Sequence, residues 1–308
     1  MKIAITTSSF AQYSDEPLRL LRERGMTAVM NPYGRTLTED EAIALLQDCV
    51  GIAAGTEPLT DKVIGALPGL RVISRCGVGM DTVDCKAAAT RGIHVRNTPD
   101  GPTRAVAELT LGCAFALLRK LLLMDREIRD GVWKKRMGSL LLGKHVGIIG
   151  FGRIGQAVAE LFAAMGCPVS FYDPHVVGDL AAFQRREMED LLSWADIVTL
   201  HCAKPADGAK IMDAGRIAAM KEGAWLINAA RGGLVDEDAL AEALQDGRLS
   251  GAALDVFARE PYSGRLATLP LVLLTPHIGS YAREARIQME TDTIRNLLDA
   301  LDQDKTTR

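Results

Sequence analysis

No apolar run in this sequence of 308 residues reaches the roughly 20 residues that a membrane-spanning helix needs. The opening residues also lack a charged leader followed by a long apolar stretch and a small-residue cleavage site. The expectation is a soluble, unprocessed, cytoplasmic protein. An excess of charge of one sign is missing as well: 36 Lys and Arg stand against 39 Asp and Glu, a formal net charge of -3. Such a balance gives no field that would gather nucleic acid or an anionic membrane surface, so a small molecule is the expected partner. The six cysteines, Cys49, Cys76, Cys85, Cys113, Cys167 and Cys202, contain no C-x-x-C pair and sit mostly in apolar runs. They read as reduced core thiols rather than disulfides, and no metal is expected. Repeats of fixed period and low-complexity segments are absent too.

What is present is an alternation. Short apolar or β-branched runs fall at about 2–6, 27–30, 51–54, 71–75 and 93–96, and again at 145–149, 168–172, 197–201, 224–228, 251–255 and 271–275. Longer stretches of helical period separate them, the pattern of parallel sheets with helical crossovers. The two sets are parted by residues 103–123, apolar almost all round, which reads as one long helix buried between domains or subunits. A charged stretch follows, from Asp125 to Arg136, and Arg185-Arg186 reads as a solvated helix face. His94, His145 and His175 read as structural or solvated, and Trp133, Trp194 and Trp225 as packing residues. Near the C-terminus Ile287, Met289, Ile294, Leu297, Leu298 and Leu301 recur at helical spacing. The expected organisation is an α/β chain of two doubly wound parallel-sheet domains, 101–281 and a discontinuous 1–100 plus 282–308.

The second set opens with a dinucleotide fingerprint. Residues 145–149 run into Gly150-Phe151-Gly152-Arg153-Ile154-Gly155, and helical period continues to Met165. Gly150 would turn the chain, Gly152 would let backbone approach a pyrophosphate, and Gly155 would let helix pack on strand. The helix N-terminus would then receive the phosphates. The following strand ends at Asp173, eighteen residues beyond Gly155 and near the spacing of the carboxylate that binds the adenosine ribose. No basic residue follows at once, so NAD is expected rather than NADP. This is a Rossmann-type domain by sequence context.

Three further motifs follow three later strands: Asn228-Ala229-Ala230-Arg231-Gly232-Gly233, Asp255-Val256-Phe257-Ala258-Arg259-Glu260-Pro261 and Thr275-Pro276-His277-Ile278-Gly279-Ser280. Ligands of doubly wound sheets bind beyond the carboxyl ends of the strands. Reducing a 2-oxo acid needs a hydride at C2, a proton for the new hydroxyl and a cation for the carboxylate. His277 can give the proton near neutral pH. Glu260 would favour the imidazolium and orient the ring, and Arg231 offers a planar fork for a carboxylate or the reacting oxygen.

With the fingerprint, these motifs resemble the D-2-hydroxyacid dehydrogenase family, and its phosphoglycerate dehydrogenase branch most closely, over nearly the whole chain. The resemblance implies a flavodoxin-like substrate domain, catalysis by Arg231, Glu260 and His277, and a homodimer formed through the cofactor domain. It includes Ser74-Arg75-Cys76-Gly77-Val78-Gly79-Met80-Asp81, similar to the family's substrate-carboxylate loop, with the N–H groups of Val78 and Gly79 on the acid. Asn97-Thr98-Pro99 and Val106-Ala107-Glu108 match the segment leading into the long helix. It also implies pyrophosphate contacts from Arg153 and Ile154, a nicotinamide-side contact from Ala229, a carboxamide contact from Asp255, and cofactor contacts at Cys202 and Gly279.

The sequence departs from the family at several points. His201-Cys202-Ala203 stands where many relatives have His-Thr-Pro, Val78 where phosphoglycerate dehydrogenases often have Thr, and Leu140 where a Glu is usual. Glu260 argues against formate dehydrogenase, which carries Gln there. A corepressor-like NAD(H) sensor is the rival from another class, and the chain lacks the long tail or basic arm that would favour it. With the sequence ending at Arg308, serine-binding regulatory domains are not expected. The loop Ala54-Gly55-Thr56-Glu57-Pro58 carries no Arg or Lys for a substrate phosphate, and Pro102 replaces an Asn. Arg75 remains for the substrate, with Arg35 as a further candidate. Glu57 is expected to disfavour a phosphorylated substrate, at a cost of about 4 kcal/mol per charge pair 4 Å apart at an effective dielectric near 20. The alternative is 3-phosphoglycerate dehydrogenase proper.

Overall fold

The computed structural model describes residues 1–7, 9–180 and 182–306. The chain divides into two compact units, one of Met1–Pro102 with Ser280–Arg308, the other of Thr103–Gly279.

In the first unit five strands form, β1 (Lys2–Ile5), β2 (Thr27–Met30), β3 (Cys49–Ala54), β4 (Val72–Arg75) and β5 (His94–Asn97). They pair in the order β2-β1-β3-β4-β5, all parallel, which is the flavodoxin-like order. Because strand side chains alternate between faces, the sheet sorts its residues into two cores. Ile3, Ile5, Ala53 and Val72 meet Ile294, Leu297, Leu298 and Leu301 of the helix Arg283–Thr306. Ala4, Ile52, Ala54 and Ile73 meet Leu37, Leu46, Val63, Leu67 and Ala88 on the other face. Each buried Leu or Ile contributes about 1.5–3 kcal/mol. The apolar spacing near the C-terminus thus brings the end of the chain back to the unit that begins it.

The second unit has seven strands, β6 (Val146–Ile149), β7 (Val169–Tyr172), β8 (Gln184–Arg185), β9 (Ile197–Leu200), β10 (Trp225–Asn228), β11 (Gly251–Leu254) and β12 (Val272–Leu274). Their order is β12-β11-β10-β9-β6-β7-β8, again all parallel. The direction of winding reverses at β6, between β7 and β9, so a crevice opens past its carboxyl end. Both faces of this sheet are covered, one by the core around Leu191, Leu200, Leu226 and Leu240, the other by that around Ile148, Phe162, Phe171 and Leu117.

Three expectations need correction. Arg185 lies in β8 rather than on a helix, and Arg186 lies over the Trp194 ring at 4.5 Å with its Nε donating to Ser170. The stretch was too short and too polar to carry a strand signal of its own, and pairing with β7 supplies the structure. The single helix expected over 103–123 is two helices, Asp100–Leu118 and Leu121–Arg129, broken where Lys120 takes a φ of 52°. The arm that follows has no regular structure over 132–140. It is rooted by the Ser139 N–H donating to the Leu118 carbonyl at 2.9 Å and braced by the Arg136–Glu127 ion pair. Trp133, expected to pack, is 83% exposed, and Leu121, Leu122, Ile128, Met137 and Leu140 are exposed with it. Trp194 and Trp225 do pack in the second unit's cores. His145 stacks on Trp194 with ring centroids 4.4 Å apart. Cys85 is exposed and Cys202 half-buried, the other four cysteines being buried, and all six are free thiols. Among the described residues no helix is long and apolar enough to cross a membrane.

The left-handed backbone at Lys120 costs an L-residue about 1–2 kcal/mol, partly offset in glycine by its looser unfolded chain. Lys120→Gly is therefore expected to stabilise the second unit by roughly 0.5–1 kcal/mol, seen as a higher urea midpoint at unchanged slope. A lower midpoint would contradict this account of the break.

Candidate active site

Since the strands of the second unit run parallel, the loops that follow them gather at one edge of its sheet. The glycine loop follows β6. A methyl at Gly155 would stand 2.1 Å from the Gly150 carbonyl oxygen, and one at Gly150, whose φ is 93°, 2.6 Å from the Cys202 nitrogen. Only glycine permits both approaches. Gly152 caps the helix Arg153–Ala164 with no side-chain hydrogen bond. Its first-turn N–H groups, those of Arg153, Ile154 and Gly155, therefore point past Gly152 with the positive end of the helix dipole.

At the end of β7, Asp173 accepts from the Phe151 N–H at 2.7 Å through Oδ2 and from the His175 N–H at 2.8 Å through Oδ1. It thus fixes the glycine loop and stays half-buried at its edge. Past β9, His201 Nε2 lies 2.9 Å from Thr199 Oγ1 while its Nδ1 is buried without a partner. Burial holds the imidazole neutral, with a pKa lowered to about 3, and pushes the Cys202 thiol up to about 11. Cys202 therefore borders the glycine loop as a neutral, unreactive group. These features fit an adenine dinucleotide, whose pyrophosphate the loop and helix terminus would hold and whose ribose Asp173 would bind.

The loop after β10 is shaped by buried Asn228, which accepts from the Ala230 N–H and donates to the Arg231 carbonyl at 3.0 Å. Ala229 is half-buried here. Arg231 donates through Nη1 to the Ala230 carbonyl at 2.8 Å. After β12, His277 takes a φ of 55° and presents Nδ1 to Glu260 Oε2 at 3.1 Å. Glu260 Oε1 meanwhile accepts from the Phe257 N–H at 3.1 Å. With Nδ1 committed, His277 Nε2 is the nitrogen left for a ligand.

Besides the expected carboxamide contact, Asp255 has a duty within the chain. It is 3% exposed and accepts from Thr275 Oγ1 at 2.6 Å and the Ile278 N–H at 2.8 Å through Oδ1, and from the Gly279 N–H at 2.8 Å through Oδ2. The His277 N–H donates to its carbonyl at 2.8 Å. Non-glycine residues in the left-handed region cost about 1–2 kcal/mol, whereas a hydrogen bond to a charged group gives about 1.5–3 kcal/mol. The carboxylate outweighs the strain and keeps the His277 loop in this shape. Gly279 is buried against Asp255 and Val106 by the same folding. Asn228 and Thr275 are visible in the motifs, but the one sequence signal of their duty is a polar residue closing an apolar strand.

The other expected site residues belong to the first unit. The Thr98 hydroxyl accepts from the Gly77 N–H at 2.8 Å and Asn97 Nδ2 donates to the Val78 carbonyl at 2.9 Å. Among the described residues the N–H groups of Val78 and Gly79 have no partner in the chain, as an anion-receiving turn requires. Arg75 donates to the carbonyls of Ala54 and Cys76, and Arg35 is paired with Glu41 at 2.6 Å. Glu57 is turned inward, 1% exposed, its Oε1 accepting from Thr6 Oγ1 at 2.6 Å and the Gly55 N–H at 3.1 Å. Burial raises its pKa, weakening the charge on which the expected repulsion of a phosphate depends. The loop signal placed Glu57 correctly in sequence but could not show which way it points.

Residues 111–279 match the family model described as D-isomer specific 2-hydroxyacid dehydrogenase, NAD binding domain. The chain is 38% identical over 275 residues to D-3-phosphoglycerate dehydrogenase of Pongo abelii, covering 87% of this chain and 51% of that protein. It is also 38% identical over 269 residues to the Mycobacterium tuberculosis protein of that name, with 85% and 51% covered. The chain thus spans about half the length of the curated relatives it matches. The crystal structure of TT0316 protein from Thermus thermophilus superposes with a TM-score of 0.91 at 36% identity, covering 98% of this chain and 97% of that one.

Removing the Asp255 carboxylate would strand a hydroxyl and two buried N–H groups. Asp255→Ala is expected to destabilise the second unit by about 2–4 kcal/mol, measured from its urea midpoint. A loss below about 0.5 kcal/mol, the range of a neutral surface change, would show that the loop holds itself.

Proposed function

Because the chain belongs to the D-isomer specific 2-hydroxyacid dehydrogenase family, we propose that it interconverts a D-2-hydroxy acid and its 2-oxo acid with NAD. The observation that carries this reading is His277 Nδ1 on Glu260 at 3.1 Å, at the same sheet edge as Arg231 and the glycine loop. Bound at the glycine loop, NAD would supply or accept the hydride exchanged with C2 of the acid. In the reducing direction His277 gives a proton from Nε2 to the nascent alkoxide, while Glu260 holds the Nδ1 proton and stabilises the imidazolium. Arg231 grips the carboxylate or the reacting oxygen with its guanidinium. The N–H groups of Val78 and Gly79 are assigned to the carboxylate, and Arg75 to the substrate side of the first unit. In oxidation the same Nε2 takes the proton back. The corepressor-like reading has no observation in its favour.

The absence of any Arg or Lys from Ala54 to Pro58, with Arg35 neutralised by Glu41, favours an unphosphorylated acid. Glu57 supports that choice by occupying the loop, not by repelling charge. The similarity to 3-phosphoglycerate dehydrogenases favours the opposite choice, so the two readings are tested against each other. The purified chain is expected to oxidise NADH, followed at 340 nm, with a higher kcat/KM for hydroxypyruvate, glyoxylate or 2-oxobutyrate than for 3-phosphohydroxypyruvate. His277→Ala should lower kcat about 10²- to 10⁴-fold with NADH binding little changed. Near wild-type turnover in that variant would end the acid–base assignment, and preference for the phosphorylated acid would make the protein a phosphoglycerate dehydrogenase.

The free cysteines suit the reducing cytosol, where this activity is assigned. The exposed apolar side chains of the helix Leu121–Arg129 and the arm after it, Leu121, Leu122, Ile128, Trp133, Met137 and Leu140, support a homodimer formed through the second unit. Light scattering should give a mass near twice that of the chain, and Trp133→Glu with Met137→Glu should halve it. A wild-type monomer at micromolar concentration would remove the dimer from this reading.

A further inference from the structure

Between the arginine loop and the turn that carries Glu260 lies a contact that the proposed chemistry does not use. The turn Asp255–Glu260 presents two consecutive N–H groups, and a carboxylate takes each. Phe257 donates to Glu260 Oε1 at 3.1 Å, and Ala258 donates to Glu237 Oε1 at 2.7 Å. Glu237 opens the helix Glu237–Gln245, which follows directly from the loop of Arg231. The near end of the same segment touches the same turn, since a methyl at Gly232 would stand 1.8 Å from the Phe257 carbonyl oxygen. Residues 232–237 therefore meet the Glu260 turn at both ends, by close backbone packing at Gly232 and by a charge-assisted hydrogen bond at Glu237.

We propose that Glu237 is a positioning residue for the acid–base pair, clasping the Glu260 turn to the segment that begins at Arg231. The effect on rate rests on the dehydrogenase reading above; the clasp itself does not. Glu260 has two oxygens with separate tasks, Oε1 on the Phe257 N–H and Oε2 on His277. By holding the next N–H of the turn, Glu237 keeps Oε1 from being shared between two donors and leaves Oε2 aimed at Nδ1. A bland role is also open to an acid at this place, because the first turn of a helix favours negative charge. Asp236 already caps this helix by accepting from the Ala239 N–H at 3.2 Å, and Asp238 adds a second acid to the first turn. The two roles differ in what glutamine can replace: an amide oxygen can still accept from Ala258, but it carries no charge for the dipole.

The test is a mutant cycle of Glu237→Ala, Glu237→Gln, Glu260→Gln and the double variant Glu237→Ala with Glu260→Gln. Glu237→Ala is expected to lower kcat about 5- to 20-fold, equivalent to roughly 1–2 kcal/mol, with the KM for NADH held within about twofold. Its pH profile should move in the same direction as that of Glu260→Gln, and Glu237→Gln should stay within about twofold of wild type. In the double variant the alanine should add nothing to the loss already caused by Glu260→Gln. Fully additive losses, or a glutamine variant as slow as alanine, would overturn the clasp and leave only helix stabilisation. A second readout needs no turnover: the ring ¹⁵N signals of His277, which report its tautomer, should change in Glu237→Ala as they do in Glu260→Gln, but not in Glu237→Gln. If the wild-type chain reduces no 2-oxo acid, the dehydrogenase reading falls, and these signals decide the clasp. Unchanged signals in Glu237→Ala would overturn it.

Discussion

The Asp255 carboxylate lies at the end of a buried parallel strand, where water is excluded and every oxygen must find a donor in the chain. It finds them in a single loop, on Thr275, Ile278 and Gly279, and so sets the backbone on both sides of His277. That constraint explains why a histidine holds a left-handed φ, a conformation uncommon outside glycine. The imidazole direction follows from it, as does the contact with Glu260. The loop shape is thus enforced from beneath, while the His277 side chain itself stays half exposed.

The rest of the second unit carries the same logic outward. Asn228 closes β10 and folds back to hold the loop that follows its own strand, whereas Asp255 at the end of β11 holds the loop after the neighbouring β12. Asp173 at the end of β7 likewise holds the glycine loop that follows the neighbouring β6. Three side chains at three strand ends thus each serve first as anchors, and only then, where an oxygen remains, as contacts for a bound molecule. The first unit repeats the arrangement with Asn97 and Thr98, which bind the turn at Gly77 and Val78 and leave two N–H groups open. In both units a parallel sheet with covered faces makes this possible, because its loops emerge together and its strand ends are dry.

Electrostatics decide less here than burial does. His201 is neutral and Cys202 protonated at neutral pH because burial disfavours the charged form of each. Glu57, the acid of the loop after β3, is likewise turned into the protein, and burial raises its pKa. A residue's charge on paper is a poor guide to the field it exerts once its surroundings are known. Leu121, Leu122 and Trp133 are the reverse case, since they read as buried or packing residues in sequence and stand in solvent in the single chain.

Legible in local pattern alone were the alternation that makes two parallel sheets, the glycine loop, and the three motifs that carry Arg231, Glu260 and His277. Those are local signals: a strand run, a helical period, a tight turn and its flanking residues need no distant partner to be read. Even the return of the C-terminal helix was legible, because Ile294, Leu297, Leu298 and Leu301 demand a face to bury. Tertiary placement decided that Gln184–Arg185 adds a strand, that Lys120 breaks a helix, and that Asp255 holds its neighbour's loop. It also decided that Glu57 points inward and that Ala258 binds Glu237, an acid on another loop. Each of these depends on where a hydrogen-bond partner or a low-dielectric wall stands in space. Residues far apart in the chain supply both, and no window of sequence contains them.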